Sequence, residues 1–110
     1  MKNKMDDEVF LCDYTYKSCH NYINELYLDE VKKNNNLELE EFEISIFIEE
    51  KYNLHKEIFK EKIYNEIKTK YPDLLDLYNK ISVDFFEDDE YNKGIFYEKI
   101  CQNKIYKNEV

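Results

Sequence analysis

The apolar positions of this chain fall into segments of helical length separated by a few punctuating residues. Between residues 54 and 70, Leu54, Ile58, Ile63 and Ile67 advance by four or five, with Phe59 and Tyr71 beside them. Lys56, Glu57, Lys60, Glu61 and Lys68 fall between, so the segment reads as an amphipathic helix with a charged back. Asn53 stands where an N-cap would stand, Glu57–Lys60 and Glu66–Lys70 have supporting spacings, and Pro72 ends the helix. Pro72 also suits the first turn of a following element, with Asp73 at the positive end of its dipole. Leu74, Leu77, Tyr78 and Ile81 then predict a short amphipathic helix.

Residues 15–33 predict another helix, with Cys19, Tyr22, Ile23, Leu26, Tyr27 and the Glu30-Val31 step on its broad apolar face. A last one follows Gly94, with Tyr97, Ile100, Cys101 and Ile105 on one side. The breakers are Asn34-Asn35-Asn36, Asn53, Tyr71-Pro72-Asp73 and Asn92-Lys93-Gly94, at near-even spacing. One glycine and one proline are too few for the tight turns of an all-β chain. The fold expected is therefore mostly α: one domain over residues 1–110, a compact bundle of four to five short helices.

Residues 37–50, LELEEFEISIFIEE, strain that reading. Phe42, Ile44, Ile46 and Ile48 alternate strictly, as in a half-buried strand. As a helix the stretch would be apolar on nearly all sides after Glu43 and would have to run through the core. The alternative is an α+β fold with a small sheet including residues 42–48, paired to 9–12 or 81–83.

Charge narrows the function classes. The chain carries a net −9 and no arginine. It cannot exchange counterions with a phosphate backbone, and it lacks the planar fork that grips phosphates and guanine edges. Direct binding of nucleic acid or of an anionic membrane is not expected; a basic protein is the natural electrostatic partner. The charge is also unevenly spread. Residues 37–50 hold six carboxylates and no lysine, residues 51–71 six lysines against three glutamates, and residues 72–98 eight acids against two lysines. Internal offsetting of these blocks is the plain reading. The sharper one is mimicry of a nucleic-acid surface. Six carboxylates over a 14-residue helix of roughly 21 Å match the charge spacing of one DNA strand, about 3.4 Å, but they scatter around the axis.

Phe85 and Phe86 lie inside a second acidic run, VDFFEDDEYNKG. Consecutive side chains cannot share a face, so one ring should anchor the segment in the core. The other, with Tyr91, should stand among the carboxylates, and we assign Phe86 to that outward place. An aromatic ring surrounded by acids suits a basic protein surface: the ring supplies a desolvated hot spot and the charges steer approach. The contact residues expected are Asp84, Phe86, Glu87, Asp88, Asp89, Glu90 and Tyr91, with Glu38, Glu40, Glu41 and Glu43 as a second set.

Catalytic and metal chemistry find little support. Cys12, Cys19 and His20 have the spacing C-x6-C-H, with Cys101 and His55 distant, which is not the paired spacing of structural zinc. Cys19 and His20 are adjacent and point about 100° apart on a helix, so they cannot form a thiolate–imidazolium pair. No serine sits in a nucleophile turn and no glycine loop cradles phosphate. Neither cofactor nor metal is expected. The three cysteines, an odd number, read as reduced thiols packed in apolar surroundings. With no apolar run long enough to span a bilayer and no leader-like segment, a cytoplasmic protein is expected.

Asn, Lys, Ile, Tyr and Phe make up just over half of the chain, as in proteins of AT-rich genomes. In size, charge and codon bias the chain looks like phage-encoded inhibitors of restriction or CRISPR systems, and equally like bacteriocin-type immunity proteins. No motif ties it to either. The function expected is a small acidic inhibitor that occludes a basic, nucleic-acid-processing partner. The alternative is a non-catalytic regulatory subunit that docks or dimerises, for instance as a homodimer, through an apolar helix face.

Overall fold

A computed structural model of the chain describes the backbone of residues 4–108 and the side chains of residues 6–102. Four α-helices, α1 Lys4–Lys33, α2 Glu41–Lys70, α3 Leu75–Glu87 and α4 Asp89–Asn108, are joined by a seven-residue loop, a 3-10 turn at Pro72–Leu74 and the single residue Asp88. The mostly α-helical expectation holds, and no strand occurs among the described residues. The helices are not all short, since α1 and α2 have 30 residues each. At 1.5 Å per residue each runs about 45 Å, close to the 48 Å long axis of the molecule.

The four helices make three arms. α1 and α2 are antiparallel: Tyr27 meets Phe47, Tyr22 stacks on Phe59, and Tyr14 reaches Glu66. α3 and α4 both run antiparallel to α2 in one continuous register. Lys60 lies over Phe86, Lys56 pairs with Asp89, Tyr52 meets Asn92, and Glu49 pairs with Lys93. The third arm is thus one long helical path interrupted at Asp88 (φ −94°, ψ 59°). Where the three arms meet they enclose Leu11, Ile23, Ile44, Tyr52, Ile63, Ile67 and Phe96, all without solvent exposure. Each such Leu, Ile or Phe contributes roughly 1.5–3 kcal/mol by leaving water.

Local chemistry explains the breaks that are real. Asn35 and Asn36 adopt left-handed backbone (φ 59° and 64°), which asparagine tolerates better than other non-glycine residues. The Asn36 N–H donates to the Val31 carbonyl at 2.9 Å, so the turn satisfies the end of α1 in Schellman fashion. α2 opens with the Glu40 N–H donating to Glu43 Oε1 at 3.1 Å. The break at Asp88 falls within four consecutive carboxylates, Glu87 to Glu90, of which Glu87 and Glu90 would be neighbours on an unbroken helix. Starting a new helix there places Asp89 and Glu90 in its first turn, against the positive end of its dipole.

Four sequence-based expectations are corrected. The first helix is already present at Lys4, well ahead of residue 15. Asn53 is no breaker: α2 runs through it, and its exposed side chain donates to Glu49 one turn back at 3.4 Å. A single asparagine costs well under 1 kcal/mol in a helix, and burial of Tyr52 and Phe59 outweighs that. Residues 42–48 are helical and do not run through the core. Ile44, Phe47 and Ile48 face inward, while Phe42 and Ile46 remain 68% and 53% exposed. Gly94 lies inside α4 instead of preceding it. Of the face expected for that last helix, Ile105 lies outside the described side chains.

Gly94 has open space where a Cβ would stand and no left-handed backbone. Gly94→Ala should therefore stabilise the protein by about 0.5–1 kcal/mol, raising Tm by several degrees in a domain of this size. Thermal unfolding followed by circular dichroism checks this. An unchanged or lowered Tm would mean that this position needs glycine for a reason the helix does not show.

Candidate functional site

The break in the third arm borders an open concavity among the described residues. α1 contributes Glu8, Val9, Cys12, Asp13 and Tyr16, which recur at helical spacing along one face. α3 contributes Ile81, Asp84 and Phe85, followed by Asp88 in the break and Tyr91 and Asn92 in α4. Together they line an open groove of about 760 Å³. Apolar and aromatic side chains line it, Val9, Cys12, Tyr16, Ile81, Phe85 and Tyr91, beside four carboxylates, Glu8, Asp13, Asp84 and Asp88, and no lysine is among the lining residues. Asp13 has one exposed partner one turn away, Lys17 at 2.9 Å, a pairing worth little in water. Asp84 and Asp88 pair with no lysine among the described residues.

Asn92 holds the groove open. Its buried Nδ2 donates to the Phe85 carbonyl at 2.8 Å and to the Tyr52 hydroxyl at 3.3 Å. The first bond gives a closer donor to a carbonyl that the Asp88 N–H reaches only at 3.4 Å, and the second ties the junction to the centre of α2. Residue 92, read from sequence as part of a breaker, is instead the stitch across a break four residues earlier.

The groove's own groups register its polarity. Burial, and after it the Glu8 carboxylate, push the Cys12 thiol up from its ordinary value. Burial, with lesser contributions from Tyr91 and Glu98, pushes the Tyr16 phenol up to about 12. The Tyr16 hydroxyl is buried with no hydrogen-bond partner, while its ring lies against Phe96 and beneath Lys99, 4.9 Å away.

The residues expected to form one acidic contact surface are dispersed. Asp84, Asp88 and Tyr91 line the groove, and Tyr91 is 62% exposed. Phe86 is corrected: it is the inward ring, 3% exposed, and Phe85 is the half-buried one that reaches the groove. Asp89 turns toward α2, where Lys56 Nζ lies 2.9 and 3.0 Å from its two oxygens. Glu90 lies 3.9 Å from the nearly buried Lys93, which pairs more closely with Glu49 at 3.1 Å. Glu87 is exposed beyond the groove. Glu38, Glu40, Glu41 and Glu43 gather at the entry of α2. From there to Lys56, the partner of Asp89, is about 20 Å along the helix, so the two acidic sets do not converge.

Sequence reasoning missed the α1 side, because that segment was not read as helix before residue 15. The signal was present: Val9, Cys12 and Tyr16 recur at three and four residues, behind acids at 6 and 7 suited to a helix start. Cys12 is also corrected, being exposed where all three cysteines were expected in apolar packing.

The groups that could do covalent chemistry are held apart. Cys19 is buried in the core, and burial pushes its thiol up to about 12. His20 stacks on Phe96, with its proton affinity lowered first by burial and then by Lys99. His55 stacks on Phe59 in α2. No group of three or more His, Cys, Asp or Glu suited to a metal ion occurs among the described residues. Glu66 serves structure: it accepts from the hydroxyls of Tyr14 (2.7 Å) and Tyr22 (2.8 Å), clamping α1 to α2, instead of pairing with Lys70.

These buried phenols give the fold an alkaline limit. Tyr14 and Tyr16 are pushed from 10.0 to about 12, Cys19 from 9.0 to about 12, and Tyr22, Tyr52 and Tyr78 are raised further, in every case chiefly by burial. The native state holds these protons more tightly than the unfolded chain does. The stability they contribute is therefore complete below about pH 9 and is lost as pH rises through 10 to 12. The part of the tyrosinate absorbance that belongs to these packed phenols should appear together with the loss of helical circular dichroism, in one cooperative step. Full tyrosine ionisation near pH 10 with helicity intact would contradict the packing described.

No protein-family model, curated protein or solved structure matches the chain, so the reading of the groove rests on its own chemistry.

Proposed function

We propose that this chain is a non-catalytic binding protein that seats a basic segment of a partner protein in the groove between α1 and the α3–α4 junction. One observation carries the reading: a groove lined by apolar and aromatic side chains together with four carboxylates and no lysine. An apolar lining alone would fit any greasy side chain. The carboxylates select a segment that presents lysine or arginine around an apolar stripe, as a cationic amphipathic helix does. The net charge of −9 raises the encounter rate with such a surface and keeps nucleic acid away. Tyr91 and Phe85 supply the aromatic contact, and the charges around them supply approach and register.

Occupation of a basic, nucleic-acid-processing surface would make the chain an inhibitor of that partner, in the manner of phage-encoded inhibitors or immunity proteins. The three free thiols suit a reducing cytoplasm as the place of action. Docking as a regulatory subunit is the second reading, and the exposed apolar row on α2 favours it.

A fluorescently labelled Lys/Leu amphipathic peptide of about 15 residues, roughly four helical turns, tests the groove. Binding should weaken as salt rises. Asp84→Asn with Asp88→Asn should lower the affinity about tenfold and flatten its salt dependence, with helicity unchanged. Equal binding of a Glu/Leu peptide, or an affinity indifferent to the two substitutions, would overturn the reading.

A further inference from the structure

The groove draws its acids from two elements in equal number. α1 brings Glu8 and Asp13; α3 brings Asp84, and the break after it brings Asp88. Asp13, Asp84 and Asp88 are exposed and Glu8 is half-buried, so all four meet water. Each element also turns one large apolar group outward, Val9 from α1 (64% exposed) and Tyr91 from α4 (62%). The two sides therefore offer the same chemistry: a pair of carboxylates beside an exposed apolar step. A strand laid between them would send alternate side chains in and out, and could not hold an apolar stripe inward with cations on both flanks. A helix can, because its side chains leave the axis all around, about 3.6 to the turn.

We infer that the groove takes a helix of a partner protein with basic side chains on both flanks of one apolar stripe, Glu8 and Asp13 meeting one flank and Asp84 and Asp88 the other. This rests on the groove being the binding site, as proposed above, and narrows the partner to a class. The spacing suits it. Asp84 and Asp88 lie four residues apart, about 6 Å along a helix axis, which is also the rise between lysines at i and i+4 on one flank of the occupant. A helix that is cationic on one flank alone leaves the other two carboxylates without a counterpart. The two sides differ in strength. Asp13 already has Lys17 at 2.9 Å, which the occupant must displace. Asp84 and Asp88 pair with no lysine among the described residues, and Phe85 and Tyr91 add aromatic contact beside them. The α3 side is thus the stronger of the two.

The test titrates the full chain with labelled peptides of about 15 residues built on one leucine stripe. The first carries lysines on both flanks. The second is its isomer, with the lysines of one flank moved to the side opposite the stripe, so that composition and net charge are equal. The third is the first with a central proline. The two-flank peptide should bind about tenfold more tightly than its isomer. A one-flank helix can turn end for end and so takes the stronger side. Asp84→Asn with Asp88→Asn should therefore weaken both peptides, whereas Glu8→Gln with Asp13→Asn should weaken the two-flank peptide and spare the isomer. The proline should lower affinity at least tenfold by breaking the helix. Circular dichroism checks that each variant protein keeps its helicity. If both carboxylate pairs act alike on the two isomers, or if the proline peptide binds as well as its parent, the inference is overturned while the groove stands as the site. If the two-flank peptide fails to bind, or its binding ignores both pairs, the groove falls as the site and the inference with it.

Discussion

The structure depends on the break at Asp88, where Asn92 Nδ2 donates to the Phe85 carbonyl and to the Tyr52 hydroxyl and so ties the two halves of the third arm to each other and to α2. An unbroken third arm would keep four adjacent carboxylates in helical positions with no dipole to offset them. Breaking the arm at Asp88 gives two of them a helix N-terminus, and Asn92 joins the Asp88 N–H in donating to the Phe85 carbonyl. The consequences are spatial. Phe86 stays in the core against α2 while Phe85 is released toward α1. Asp84, Asp88 and Tyr91 come to border one depression. Asp89 turns toward Lys56 of α2, and Glu90 lies near Lys93 of its own helix. The break thus divides an acidic run into an internally paired half and a half that faces solvent.

The same division shows what the sequence could and could not reveal. The Asn34–Asn36 turn and the Pro72 boundary were legible because their causes are local: asparagine accepts left-handed backbone, and proline cannot continue a helix. Asn53 and Gly94 misled because local propensity is weak beside the burial of neighbouring residues such as Tyr52 and Phe96. The alternation of residues 42–48 matched a strand because apolar groups lie on both sides of α2, inward for packing and outward as a ridge. The acidic segment was visible as composition. Which of its members meet a lysine is set by the register of α4 on α2, a non-local fact that no window of sequence contains.

The groove is lined by α1, α3, Asp88 and α4, and the exposed Phe42, Ile46, Leu54 and Ile58 of α2 lie outside it. The buried thiol of Cys19 is held protonated, and the two histidines stack on different rings in different arms.

Backbone amide shifts in a nuclear magnetic resonance titration with a cationic amphipathic peptide test the central claim most directly. The account predicts that the perturbed residues fall within 8–16 on α1 and 81–92 across the break, with the outer positions of α2 unchanged. Perturbation concentrated at residues 38–46, or spread evenly over the acidic surface, would contradict it.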